Sequence, residues 1–123
     1  MVFAHVLVTL AECTAMAGKL VDGAGYVETN QQPWANQASA YLCTIGKYDF
    51  VTNVATLTAQ TKAILAEYIA RYVGASAIAY SMATVGATFA TLIEPEDMIQ
   101  FHVYRMEKIE ELIKNQDYVK FII

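Results

Sequence analysis

The stretch that decides the fold is YVGASAIAYSMATVGATFATLI, which runs from Tyr72 to Ile93 without a charged side chain. Its 22 residues satisfy the length of about 20 that a membrane-spanning helix needs. Five serines and threonines and two glycines interrupt its apolar surface, however, and Arg71 alone supplies a basic flank. We therefore predict that neighbouring protein, rather than lipid, covers this stretch.

A series of small side chains within the stretch indicates what kind of neighbour this is. Alanines recur at every fourth position from residue 75 to residue 87. Such a series lets another helix approach closely, in lipid or in water. It predicts a helix that packs on one side against its own domain and on the other against a second copy. Gly86, in the segment TVGATF, predicts that this helix ends or bends near Thr84, with a loop before Glu94.

The segment before the stretch has the clearest helical period in the chain. Apolar residues recur at the spacing of an amphipathic helix from residue 64 to residue 73. Glu67 and Arg71 form a favourable pair four residues apart on the other side. The pattern predicts a third helix over residues 58–82, with a buried stripe formed by Ile64, Leu65, Tyr68, Ile69, Tyr72 and Val73.

The residues after the stretch predict a fourth helix and a terminal arm. Pro95 is placed to begin the helix, with Glu94, Glu96 and Asp97 near its positive dipole end. We expect a buried seam along this helix, formed by Ile99, Val103, Met106, Ile109 and Ile113 and widened by Met98, Phe101 and Leu112. Residues 117–123 alternate and end apolar, which predicts an extended arm that binds a partner through Tyr118, Val119, Phe121, Ile122 and Ile123.

The first half of the chain predicts two more helices. Thr9 and Glu12 have the spacing of a capping box, which marks the start of the first helix. The second helix is expected to begin at Pro33, after a polar loop, and to end at Gly46. Residues 47–56 are predicted to be an extended link or a strand, and residues 1–8 an extended arm. The whole chain, residues 1–123, is thus predicted to be a single mainly α domain, a small bundle of about four helices with extended terminal arms.

Composition limits the classes of function. The hydrophobic fraction is 56 % and the charged fraction 16 %, against about 25 % charged in an average soluble domain. One small core does not readily hide so much apolar surface, which favours an oligomer or a membrane. The net charge is −4 and the eight basic residues are scattered. Direct nucleic-acid binding is therefore disfavoured.

The sequence contains none of the familiar catalytic, phosphate-binding or zinc-binding motifs. His5 and His102 are far apart, and we interpret both as structural or surface residues. The acidic residues around Glu94 are explained by a helix N-terminus rather than by a metal site. Cys13 and Cys43 are interpreted as reduced, partly buried thiols. We therefore expect no enzymatic activity, no cofactor and no bound metal.

The order of elements and two loose signatures resemble a known family. ASAYLCTIGKY, residues 38–48, gives the pattern A-x-A-Y-x-x-x-I-G-x-Y, and AEYIARY, residues 66–72, gives A-x-x-x-A-R-Y. Between Thr9 and Asn115 the chain resembles the head–tail adaptor proteins of tailed bacteriophages, which are also called head-completion or neck connector proteins.

This resemblance implies a structural virion protein that is assembled in the host cytoplasm. Copies would form a ring, usually of twelve, that docks beneath the portal, contacts tail and neck proteins, and continues the DNA channel without sequence-specific binding. No membrane association is implied. We expect the contacts between copies to involve Tyr72, Ala75, Ala79, Ala83, Ile99, Val103 and Met106.

Three other functions remain open from sequence. One is a tail-completion or tail-terminator subunit, which sequence does not separate from an adaptor. Another is a small membrane protein of the holin kind, which the length of the uncharged stretch allows. The third is a small helical enzyme or ligand-binding bundle, although no convergent polar site can be read from the sequence.

Overall fold

The computed structural model describes residues 5–17, 28–85 and 89–114, and in these residues the chain forms four α-helices. They are α1 (Leu10–Ala17), α2 (Glu28–Gly46), α3 (Ala59–Val85) and α4 (Phe89–Lys114), with a short 3₁₀ helix (Val54–Thr56) between α2 and α3. None of the described residues forms a β-strand. The predicted mainly α bundle of about four helices is confirmed.

Helix α3 lies at the centre of the bundle and contacts each of the other three helices. Its predicted stripe is largely buried, because Leu65, Tyr68, Ile69 and Val73 are each no more than 1 % exposed, while Ile64 and Tyr72 are half-buried at its edge. The other helices contribute the rest of the core around this stripe, chiefly Cys13, Ala35, Ala38, Leu42, Ile109 and Ile113.

The first part of the uncharged stretch is covered by the chain itself. Ala77 and Ile78 are buried, and Trp34 of α2 and Ile99 of α4 pack against them. Helix α3 continues to Val85, close to the predicted end. The predicted loop over residues 84–93 is partly wrong, since the backbone is helical again from residue 89. Neighbouring helices of the same chain therefore bury the beginning of a segment that has the length of a membrane span.

The capping box at the start of α1 is confirmed. The Thr9 amide donates to Glu12 Oε1 over 3.0 Å, and the Glu12 amide donates to Thr9 Oγ1 over 3.2 Å. Two amides that the first turn would otherwise leave without an acceptor are satisfied in this way. Before the helix, Leu7 and Val8 are buried in the core. The described part of the predicted N-terminal arm thus packs against the bundle instead of extending from it, and residues 1–4 lie outside the described residues.

The predicted start of α2 at Pro33 is wrong. The helix begins at Glu28, so that part of the predicted polar loop is helical and Pro33 lies inside the helix. The prediction failed because it took polar residues to be exposed, whereas Gln31 and Gln32 are 1 % and 9 % exposed. Tertiary burial holds this first turn in a helix although Pro33 cannot donate to the carbonyl of Thr29.

The predicted end of α2 at Gly46 is confirmed. The next segment forms turns and the 3₁₀ helix, so the alternative of a strand is wrong. Asp49 organises this segment, because its carboxylate accepts the Thr52 amide over 3.0 Å and the Thr52 hydroxyl over 2.7 Å. These two bonds hold the pKa of Asp49 below its usual value. A side chain that bonds to its own backbone favours a turn over a strand.

Helix α4 also begins earlier than predicted. Its first residue is Phe89, so Pro95 lies inside the helix and the acidic residues at positions 94, 96 and 97 are beyond its first turn. The prediction that they sit at the positive end of the helix is wrong. A proline at the first helical position is favourable, but a proline further along is tolerated when surrounding contacts stabilise the helix.

Candidate functional site

Exposed aromatic and apolar side chains are concentrated on α4. Phe101, Tyr104 and Leu112 are 52 %, 56 % and 48 % exposed. At roughly 100° per residue they lie on the same side of the helix as Arg105 and Lys108, with the exposed Asp97 one turn before Phe101. We call Phe101, Tyr104, Arg105, Lys108 and Leu112 the basic-aromatic stripe. Large exposed apolar side chains that cluster on one element mark a candidate contact surface.

The buried side of α4 differs from the predicted seam. Ile109 and Ile113 are buried as predicted, but His102 is 1 % exposed and Val103 is 42 % exposed. The seam therefore runs through His102 and not through Val103. The sequence misled here because a valine is more apolar than a histidine, while the buried histidine is satisfied by hydrogen bonds. Phe101 and Leu112 were predicted to widen the seam and are instead exposed.

A charge network fixes α4 against α3. Glu67 Oε2 accepts from Arg71 Nε over 2.8 Å and from Arg105 Nη2 over 2.9 Å, which confirms the predicted pair of Glu67 and Arg71. Burial alone would raise the pKa of Glu67, but the hydrogen bonds and charges of the two arginines outweigh it and hold that pKa below its usual value. The shared carboxylate sets the position of Arg105 within the stripe.

Cations support the aromatic rings of the stripe. The Arg71 guanidinium lies 5.2 Å from the centre of the Phe101 ring, and Lys108 Nζ lies 5.5 Å from the centre of the Tyr104 ring. Cation–π contacts of this kind contribute about 0.5–1 kcal/mol at exposed sites. They hold the two rings in defined positions although the rings face solvent.

The other exposed side of α4 is mainly acidic, with one lysine, Lys114, at its C-terminal end. Glu96, Glu107 and Glu111 lie there with Val103, at the spacing of one helical stripe. All four are exposed, and we call them the acidic flank. On the side of α4 that faces the bundle, the buried seam lies between this flank and the basic-aromatic stripe. On the side that faces solvent the two surfaces adjoin, and Lys108 pairs with Glu111 over 3.8 Å. One helix thus presents two exposed surfaces of different chemical character.

The predicted contact residues on α3 lie at different depths. Tyr72 is half-buried and donates from its hydroxyl to Gln37 Oε1 over 3.3 Å. Ala75 is half-buried and Ala79 is exposed. Ala83 belongs to α3, and its side chain lies outside the described part of the structure. Only Ala79 of these four residues is shown to be fully available to a neighbour.

The predicted contact residues on α4 divide in the same way. Ile99 and Met106 are half-buried against core residues of their own chain, and Val103 is exposed. The C-terminal arm with Tyr118, Val119, Phe121, Ile122 and Ile123 lies outside the described residues. Whether these residues contact a second copy or another partner stays a prediction.

Two observations concern catalysis and metal binding. Cys13 is buried, and burial raises the pKa of its thiol to about 12, which removes its nucleophilic character near neutral pH. Within residues 5–17, 28–85 and 89–114, three or more acidic, histidine or cysteine side chains do not cluster as metal ligands would. An open groove of about 610 Å³ beside His5 is lined mostly by apolar atoms of the N-terminal segment and α2.

Comparison with known proteins returns no match: no family model, curated protein or solved structure is similar to this chain. Among the helices that the structure describes, none has both the length and the apolar character required to cross a bilayer.

Proposed function

We propose that this chain is a non-enzymatic structural subunit of the neck of a tailed bacteriophage. Copies of it form a ring that joins the portal to the tail and continues the DNA channel. The two sequence signatures around Gly46 and Arg71 and the order of the helices support the proposal. The observation that carries it is the difference in charge and chemistry between the two exposed sides of α4.

A ring of identical subunits needs a head-to-tail contact, in which one surface of a subunit meets a different surface of the next. A chain that forms such a ring must therefore present two complementary surfaces. The basic-aromatic stripe offers Lys108 and aromatic rings, and the acidic flank offers Glu107, Glu111 and the exposed side chain of Val103. Aromatic residues and arginine are also enriched where proteins contact each other.

The charge of the chain agrees with passage of DNA through such a ring. The net charge is −4, so a channel lined by these subunits would not gain affinity by neutralising many phosphates. The membrane-protein alternative draws no support from the described helices. The tail-completion role would use the same kind of ring and differs only in the docking partner.

The experiment is a charge exchange on α4. We expect Lys108→Glu and Glu107→Lys each to weaken assembly at least tenfold in concentration, because each places like charges in the contact. The double variant, which exchanges the two charges within one chain, restores a complementary pair and should recover assembly. Native mass spectrometry at several protein concentrations measures all three.

The matched control is Lys62→Glu, which reverses an exposed charge on a different helix, α3. It should leave assembly unchanged. If the single variants assembled normally, or if the double variant assembled no better than either, the proposed contact would be wrong. Binding of the assembled protein to isolated tails but not to portal rings would favour the tail-completion role instead.

A further inference from the structure

Among the side chains of α4 that the structure describes, His102 is the most deeply buried ionisable one, and both of its ring nitrogens have partners. Nε2 lies 2.9 Å from the carbonyl oxygen of Met16 in α1, and Nδ1 lies 3.0 Å from Arg71 Nη1 in α3. The imidazole therefore joins three helices at one point. Its two neighbours come from segments that are 86 and 31 residues away along the chain.

The partners determine the protonation state of the ring. A carbonyl oxygen only accepts a hydrogen bond, so Nε2 must carry a proton and donate it to Met16. A guanidinium only donates, so Nδ1 must be unprotonated and accept from Arg71. Both bonds can exist together only in the neutral tautomer with its proton on Nε2. The geometry thus requires one specific form of the histidine.

Uptake of a second proton is incompatible with this arrangement. A proton on Nδ1 would point at the Arg71 guanidinium, which would remove one hydrogen bond and place two positive charges about 3 Å apart. Burial lowers the pKa of His102, the bond to the Met16 carbonyl acts in the opposite sense, and the charge of Arg71 lowers it further. The net direction is downward.

The other charged groups that the structure describes around His102 do not offset this effect. From α3, Glu67 already bonds to Arg71, and from α4, Arg105 bonds to the same carboxylate. From α1, the side chain of Glu12 bonds back to Thr9, and the buried Cys13 thiol stays neutral. Helix α2 has no charged residue between positions 30 and 46. No acceptor for a proton on Nδ1 is therefore shown among the described contacts of His102.

We propose that His102 is a pH-sensitive latch that fastens the end of α1 to α3 and α4. The latch is closed while the imidazole is neutral. The bond to Met16 would survive protonation, so acid acts through the open form: when α1 separates, the exposed imidazole takes up a proton that the closed form cannot hold beside Arg71. The histidine takes up a proton and releases it on neutralisation, so the change is reversible. This device does not depend on the function proposed above.

The sign of the pH dependence follows from the direction of the pKa. A histidine whose pKa is lowered in the closed form contributes stability above its ordinary value of 6.5. That stability is lost as the pH falls below 6.5, because the open form binds the proton first. Between pH 7 and 5 the opening equilibrium can rise by at most about 25-fold, the limit for a group protonated only in the open form.

The test combines hydrogen exchange with nitrogen NMR on the full chain. At pH 7 the imidazole nitrogen shifts of His102 should show the neutral tautomer with its proton on Nε2. Between pH 7 and pH 5 the protection factors of the α1 amides from residue 13 to residue 17 should fall several-fold, up to the limit of about 25-fold. Protection of the α3 amides around Ile69 should fall less.

Two variants separate the latch from other causes. The side chain of His102→Gln can donate to the Met16 carbonyl and accept from Arg71 but cannot take up a proton, so α1 protection should become independent of pH over this range. His5→Asn removes the other histidine and keeps an acceptor for the Leu7 amide, which Nδ1 of His5 accepts over 3.1 Å. It should retain the pH dependence of the natural chain.

Three results would overturn the proposal. They are an imidazole protonated on Nδ1 at pH 7, α1 protection that stays constant from pH 7 to pH 5 in the natural chain, and an unchanged pH dependence in His102→Gln. The first two need no variant, so the proposal is decided even if His102→Gln does not fold.

Discussion

Gly46 and Lys47 have separate roles at the C-terminal end of α2. Lys47 adopts the left-handed backbone conformation, and Gly46 allows close packing. The Tyr48 amide donates to the Cys43 carbonyl over 3.2 Å, and Lys47 has a φ of 52°. This is the pattern in which a residue of left-handed conformation follows the helix, and glycine usually occupies that position. Here the glycine lies one residue earlier, inside the helix end.

Close packing explains the position of the glycine. A Cβ atom on Gly46 would lie 2.9 Å from Cγ2 of Ile113 and 3.0 Å from the Phe50 ring. Both neighbours are buried, at 2 % and 1 % exposure. Ile113 of α4 can approach the end of α2 this closely only because Gly46 has no side chain.

Substitution at these two positions should therefore have opposite effects. Gly46→Ala should lower the free energy of unfolding by about 1–3 kcal/mol, because it overpacks a filled site. Lys47→Gly should raise it by about 1 kcal/mol, because it removes the strain of a left-handed lysine. Urea unfolding of both variants measures the difference. A neutral Gly46→Ala would contradict the close approach of α2 and α4.

At the scale of the helices, sequence patterns predicted the type of each element better than its first residue. The capping box of Thr9 and Glu12 and the stripe of α3 depend on local spacing, and both are confirmed. The starts of α2 and α4 were wrong by five and six residues (Glu28 for Pro33, Phe89 for Pro95). In both cases a proline was read as a first helical residue, whereas the helix begins before it.

The surface of α4 could be predicted only in part for a related reason. The repeat of Phe101, Arg105, Lys108 and Leu112 is visible in the sequence, but an apolar residue in such a repeat can be buried or exposed. On the buried side of α4, His102 takes the place that the pattern gave to Val103, and its ring nitrogens are satisfied by Arg71 and by the Met16 carbonyl. Those partners are distant in the chain, so no local pattern reveals them.

Replacement of Pro33 tests the observed start of α2. Pro33 is exposed, and its substitution removes no core contact. Pro33→Ala restores an amide that can bond to the carbonyl of Thr29, so the free energy of unfolding should rise by about 1 kcal/mol or more.

The control is Ala40→Pro, an exposed position further along the same helix, which should lower the free energy of unfolding by about 3 kcal/mol or more. A helix that began at Pro33 would gain nothing from the alanine, because proline is favourable at a first helical position. A neutral or destabilising Pro33→Ala would therefore contradict the structure. Thermal unfolding followed by circular dichroism is sufficient for both variants.

At the scale of the whole molecule, the described structure covers only part of the apolar surface. The beginning of the uncharged stretch is buried by Trp34 and Ile99 of the same chain, but Ala79 and Tyr80 that follow remain exposed. Together with the exposed rings of α4, these residues leave apolar area that a second copy would cover.

A larger side chain at Ala79 tests whether a neighbour packs there. Ala79→Leu should prevent assembly and leave the subunit folded, because the side chain is exposed in the single subunit and would collide only with a closely packed second copy. Ala63→Leu, an exposed alanine on the same helix, is the matched control and should assemble normally. If Ala79→Leu assembled as well as the control, that face of α3 would not be a contact.

The most direct test of the central claim is the native mass of the unmodified chain in detergent-free buffer, measured alone and with isolated portal rings. A chain whose uncharged segment and α4 surfaces are covered by other copies should appear at a multiple of 13.6 kDa, up to twelve copies on a portal. A single species of 13.6 kDa under both conditions, or a chain recovered only with membranes, would contradict the account.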